Sequence, residues 1–169
     1  SNPAPAPNPA PTPAPEPTPA GPNLYIEAED ADNTANLAPF KVTSDAAASG
    51  GKVLFWANDG TDQTDTTPSN ADSGQAAYSF TLTDGVDKVD IYILVDAPSA
   101  LDDSVYVKLS GEDSNWVQKN GLKTSGYQWK KVGGYYGVSA GDYTFTILKR
   151  EDGIKIDRIF IATDGSDPK

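Results

Sequence analysis

From Asn23 onward, apolar residues recur at every second position in short runs, and no stretch sustains the spacing of a helix. Alternation of this kind puts one face of a strand in a core and the other in water. Candidate strands are Leu24–Ala28, Phe40–Thr43, Lys52–Trp56, Gln75–Thr83, Lys88–Val95, Ser104–Ser110, Trp129–Val138, Asp142–Leu148 and Ile154–Ala162. Between them "TDGVD", "SAGDY" and "EDGIK" set Gly beside polar residues, as tight turns require. Many short strands with such turns predict an all-β fold, an antiparallel β-sandwich of the jelly-roll type. The polar run Asp59–Gly74 lacks the alternating ligands, central Gly and terminal Glu of an EF-hand loop, and reads as a solvated surface loop.

The pattern begins only after residue 22. Residues 1–22, "SNPAPAPNPAPTPAPEPTPAGP", hold ten of the fourteen prolines and favour extended polyproline II over any packed element. At about 3.1 Å per residue this linker could hold neighbouring domains roughly 60 to 70 Å apart. A spacer needs something at both ends, so a further domain upstream is expected. Residues 23–169 have the length of one domain.

Composition narrows the chemistry. Without Cys or His there is no disulfide, no thiolate metal site and no imidazole base, which leaves oxygen donors and hence a hard cation such as calcium. No apolar run has the length that spans a bilayer. The net charge of −11 is uneven: residues 23–107 carry three basic and fifteen acidic side chains, residues 108–158 nine and six. Overall acidity argues against nucleic acid as a partner.

In "LYIEAED" the alternation of a strand would set Tyr25, Glu27 and Glu29 on one face. Two neighbouring carboxylates repel unless a cation or hydrogen-bond donors stand between them. The pieces "YIEAEDA", "ASGGKV" and "REDGIKIDRIFI", in that order, together with "DSVYVKL" and "SGYQWKKV", resemble the calcium-bearing β-sandwich carbohydrate-binding modules of families 6 and 35. The resemblance implies a structural calcium held by Glu27, Glu29 and Asp157, with a backbone oxygen near Lys52 completing the site. It also implies a secreted, non-catalytic, monomeric module that carries an attached enzyme to a polysaccharide. The alternative for Glu27 and Glu29 is an exposed acidic face paired with lysines such as Lys155.

Sugars are held by aromatic faces against the apolar faces of pyranose rings, with polar side chains on the hydroxyls. The resemblance points to Trp56, Tyr127 or Trp129, and Asp152 in loops at one end of the sandwich. "YQW" departs from the usual paired tryptophans, and Lys155 stands where a small amide is common. Trp129 fits either a platform or an inward-facing core position. Trp116, in the polar stretch "EDSNWVQKNG", is expected to be exposed. Lys119, Lys123, Lys130, Lys131, Lys149, Arg150 and Lys155 crowd the same part of the sequence, and if they meet in space they favour a carboxylated or sulfated glycan. Two other classes stay open. A glycosidase would use a carboxylate pair from Asp102, Asp103, Glu151 and Asp152. A cell-surface adhesion domain shares the architecture.

Overall fold

The structure is a computed structural model that describes residues 23–33, 35–62, 67–70 and 72–169. Residues 1–22, expected to be a linker, lie outside them. Two antiparallel sheets form the expected sandwich from ten strands: β1 (Leu24–Glu27), β2 (Lys41–Ser44), β3 (Lys52–Phe55), β4 (Gln75–Leu82), β5 (Val86–Asp96), β6 (Val105–Leu109), β7 (Val117–Lys119), β8 (Gln128–Val138), β9 (Gly141–Lys149) and β10 (Lys155–Ala162). The larger sheet runs β2-β3-β10-β5-β8 with β1 also on β10, and the smaller runs β4-β9-β6-β7. Helical residues among those described are confined to two 3₁₀ turns, Ala28–Asp30 and Ser49–Gly51, so none forms a helix that could cross a membrane.

Alternation selects what enters the core. In β5, Ile91, Ile93 and Val95 point inward, while Asp90, Tyr92 and Leu94 point out; in β9, Phe145 and Ile147 point inward, and Thr144 and Thr146 point out. Each fully buried aliphatic or aromatic side chain contributes about 1.5–3 kcal/mol, which is how strands this short hold together. β7 was not expected from the sequence, because three residues show no periodicity; it exists by pairing with β6, Val117 opposite Val107.

β4 ends the smaller sheet, and its outer edge is not bare. Asp32 donates its amide to Ala77 O at 2.8 Å, and the Asp32 and Asn33 side chains accept the amides of Ser79 and Ala77 at 2.5 and 2.8 Å. Asn33 Nδ2 then donates to Gln75 O at 3.2 Å. Two polar side chains thus stand in for a neighbouring strand.

Loops at one end of the sandwich join β3 to β4, β5 to β6, β7 to β8 and β9 to β10. The outer face of the larger sheet carries Tyr25, Tyr92, Trp129 and Phe160, crossed by the C-terminal residues: Tyr92 OH donates to Asp167, and Lys169 N donates to Tyr25 OH.

Candidate functional site

β10 lends one edge to two strands in succession, β3 along Lys155 and Ile156, then β1 along Arg158 to Ile161. Asp157 stands at the junction, where the register against β5 also slips, and a bulge of this kind re-aims a side chain. Asp157 is 2% exposed and accepts the Ser49 amide with both oxygens at 3.1 Å. Ser49 Oγ donates to Glu27 Oε1 at 3.0 Å. Glu29 reaches the same turn: a Cβ on Gly50, whose φ is +62°, would lie 3.3 Å from Glu29 Oε1. The three predicted acids therefore cradle Ser49–Gly50, and Lys52, the predicted backbone ligand, opens β3 just beyond.

The route differs from the one read in the sequence. β1 stops at Glu27, and the 3₁₀ turn Ala28–Asp30 swings Glu29 round to the cradle, so the two glutamates do not share a strand face. The alternative pairing with Lys155 is also corrected: Arg158 Nε is the cation at Glu27, 3.2 Å from Oε1, and Lys155 pairs elsewhere. Glu27 Oε2 and Glu29 Oε2 are buried with no hydrogen-bond donor among the described residues. Burial pushes the Glu29 and Asp157 carboxyls up from the ordinary range, and the charge of Glu27 adds to both, while the Ser49 amide opposes the rise at Asp157. Buried carboxylate oxygens without donors are costly. Oxygen donors arranged round a glycine turn are what a hard cation takes.

A second acidic group lies at the loop end. Among the described residues, Asp62, Asp102 and Asp152 are the trio whose ligand oxygens all lie within 4.8 Å of one another. Asp152 is 1% exposed, and its Oδ2 accepts the amides of Asp59 and Gly60 at 2.5 and 2.6 Å. Asp62 Oδ1 accepts the Asp152 amide at 3.0 Å, and Asn58 Nδ2 donates to Asp102 Oδ2 at 3.0 Å. Asp59–Gly74, read as a solvated loop, is thus anchored at its start by a buried carboxylate; part of it lies outside the described residues. Asp152, predicted as a sugar contact, is turned inward by these bonds, which corrects that role.

The three tryptophans separate. Trp56 is 2% exposed, edge-on to Phe40 at 6.4 Å with Lys149 Nζ 5.4 Å over its ring, so it is a core residue and not a stacking platform. Trp129 is neither inside the sandwich nor a loop platform. It packs edge-on against Tyr25 and Phe160 on the outer face of the larger sheet and donates Nε1–H to Lys169 O at 3.4 Å. Tyr127 is half-buried and donates to Asp45 Oδ2 at 2.9 Å. Three of the basic residues are held by carboxylates. Lys155 pairs with Asp45 at 2.8 Å, Lys131 with Asp90 at 2.8 Å, and Arg150 with Glu151 and Ser104.

Trp116, expected to be exposed, is half-buried just before β7, against the smaller sheet. With Asn70, Gln75, Lys108, Ser110, Thr144 and Thr146 it lines a hollow of about 180 Å³. Its floor is the polar side of the alternation: Thr146 pairs with Lys108 and with the small Ala77, which leaves room above. Trp116 Nε1 is buried without an acceptor among the described residues. Among the described residues, Lys108 makes long contacts, 3.5 Å each, to Asn70 Oδ1 and Ser114 O. Sequence reading found Trp116 but missed the other wall, which comes from three strands and a loop.

The sequence matches no family model and no curated protein. Solved structures do match. The C-terminal family 6 carbohydrate-binding module of LamC, a marine laminarinase from Zobellia galactanivorans, aligns with a TM-score of 0.55 at 19% identity, over 83% of this chain and 98% of that one. A family 35 carbohydrate-binding module from Clostridium thermocellum aligns at 0.54 and 17%, over 82% and 98%. The fold is that of the family 6 and family 35 carbohydrate-binding modules. A Podospora anserina β-(1,4)-mannanase with a family 35 module aligns at 0.58 and 15%, over 86% of this chain, which spans only 28% of that enzyme.

Proposed function

We propose that residues 23–169 form a non-catalytic glycan-binding module. The observation that carries the reading is the hollow beside Trp116, where an indole stands next to amide, hydroxyl and ammonium groups on a rigid sheet face. A pyranose ring packs its apolar face on the indole, and Gln75, Asn70, Thr144 and Thr146 exchange hydrogen bonds with its hydroxyls. Lys108, which has no carboxylate within ion-pair distance among the described residues, favours a uronate or sulfated sugar. Asp103 Oδ2 accepts the Lys123 amide, Glu151 holds Arg150 and the Asp103 amide, and Asp152 Oδ2 accepts the Asp59 and Gly60 amides, so these candidate acids are tied into the fold.

Calcium at the cradle is part of the proposal. A bound calcium meets the buried Glu27 Oε2 and Glu29 Oε2, which have no donor among the described residues, and adds to the single Arg158 cation at Glu27. Glu27 and Glu29 then hold the end of β1, Asp157 holds β10, and the Ser49–Gly50 turn is fixed between them. The module is monomeric and secreted, and it serves an enzyme in the same polypeptide; the mannanase, of which the matched part is under a third, supports that arrangement.

Affinity electrophoresis in gels containing neutral, uronate-rich or sulfated polysaccharides tests the reading. The chain should be retarded most by an anionic glycan, less as salt rises, because exposed charges are screened over about 8 Å at physiological ionic strength. Trp116→Ala should remove about 1–3 kcal/mol of binding with the melting temperature kept. No retardation by any glycan from a folded, calcium-loaded chain would leave the adhesion reading.

A further inference from the structure

The loop between β2 and β3 is pinned at both ends. At its far end Ser49 bonds Asp157 and Glu27, and Gly50 lies against Glu29. At its near end Asp45 Oδ2 accepts Lys155 Nζ at 2.8 Å and Tyr127 OH at 2.9 Å. The loop between them is internally bonded: Asp45 N donates to Gly51 O at 2.9 Å, Ala47 N to Asp45 Oδ1 at 3.0 Å, Ala48 N to Asp45 O at 3.1 Å and Gly51 N to Ala48 O at 3.2 Å. A loop closed on itself in this way moves as one body, so what holds Ser49–Gly50 also holds the Asp45 carboxylate.

Tyr127 and Lys155 belong to a different neighbourhood. Lys155 Nζ lies 6.0 Å over the Phe55 ring, and Phe55 lines a hollow of about 280 Å³ with Pro39, Lys41, Thr43, Trp56 and Asp59. While Asp45 holds it, the ammonium beside this hollow is neutralised.

We propose that Asp45 is the positioning residue through which occupancy of the carboxylate cradle fixes Tyr127 and Lys155, making the surface beside the Phe55 hollow dependent on a cation. The inference rests on the cation reading given above. With the cradle filled, the turn is held, Asp45 keeps both partners, and the Lys155 ammonium stays paired. With it empty, repulsion among Glu27, Glu29 and Asp157 loosens the turn, and Asp45 releases the phenol and the ammonium together.

The test follows amide hydrogen exchange in residues 45–51 and 124–128 of the full chain, with calcium chloride or with chelator, beside a calorimetric titration of calcium. In the native sequence calcium should slow exchange in both segments, by roughly fivefold in 124–128, the equivalent of one hydrogen bond. In Asp45→Ala calcium should still bind and still slow 45–51, but 124–128 should no longer respond. Asp45→Asn keeps an acceptor for Tyr127 and should restore part of the response, a result that loss of fold could not give. Equal slowing of 124–128 in Asp45→Ala, or none in the native sequence with calcium bound, would overturn the relay while leaving the cation reading intact. Absence of calcium binding to the native chain overturns both.

Discussion

At the loop end, Asp152 accepts two backbone amides, Asp62 a third, and Asp102 the Asn58 amide nitrogen; beside β10, Glu27 Oε2 and Glu29 Oε2 accept nothing. The first trio is the more compact, yet its charge is already met by N–H groups of the chain. The second is spread round a glycine turn and holds buried oxygens in deficit. Proximity of carboxylates is thus a poor guide to cation affinity. What decides is the number of lone pairs left without a donor after the chain has satisfied what it can.

The largest expected effect separates the two trios by metal. Chelator should lower the melting temperature of calcium-loaded protein by roughly 5–10 °C, since a ligand at a hundred times its Kd adds about 2.7 kcal/mol and a domain of this size moves about 2–4 °C per kcal/mol. Glu29→Gln should abolish that response and, in chelator, melt above the native sequence, because it removes a repelling charge. A chelator effect that survives Glu29→Gln would assign the cation to Asp62, Asp102 and Asp152.

Next in size is Asp152→Ala. Two backbone amides lose a charged acceptor at a buried position, a loss of about 1–3 kcal/mol with or without calcium. Calcium stoichiometry by calorimetry should not change. If it fell, the contrast between the trios would be wrong.

The smallest effect is in the acid limb. Hydrogen bonding by Lys155 first, then by Ala47 N and Tyr127, holds the Asp45 carboxyl at about 2 against an ordinary 3.8. A folded pKa below the unfolded one gives stability that is present above 3.8 and lost as pH falls through about 2. The melting difference between the native sequence and Asp45→Asn should therefore be steady near neutrality, shrink below 3.8 and vanish only below about pH 2. Glu29 and Asp157, pushed up by burial, run the other way in chelator: their contribution is present below the ordinary carboxylate range and lost as pH rises through their elevated values.

Much of this architecture is legible in the sequence, and the gaps have physical causes. Ile154, Ile156, Ile159 and Ile161 step by two, three and two, which already marks one extra residue at Asp157. The run Val53–Trp56 is apolar throughout, so alternation cannot tell that Leu54 and Trp56 enter the core. Glu27, Glu29 and Asp157 all reach the Ser49–Gly50 turn, and a 3₁₀ turn, which strand alternation does not foresee, carries Glu29 there. The hollow beside Trp116 was not legible beyond the tryptophan itself. Lys108 looks like any other lysine until the pairing of β6 with β9 sets it beside Thr146.

The bonding of Asp32 and Asn33 along β4 bears on crowding. An outermost strand with free amides and carbonyls recruits its like from another molecule, and the hazard grows where many copies are held side by side. The glycan binding proposed for this chain would set many copies side by side on a polymer surface. Here side chains occupy two successive alternate amides, Ala77 and Ser79, so another copy finds those positions taken. Local concentration can then rise without the copies stitching together through this strand.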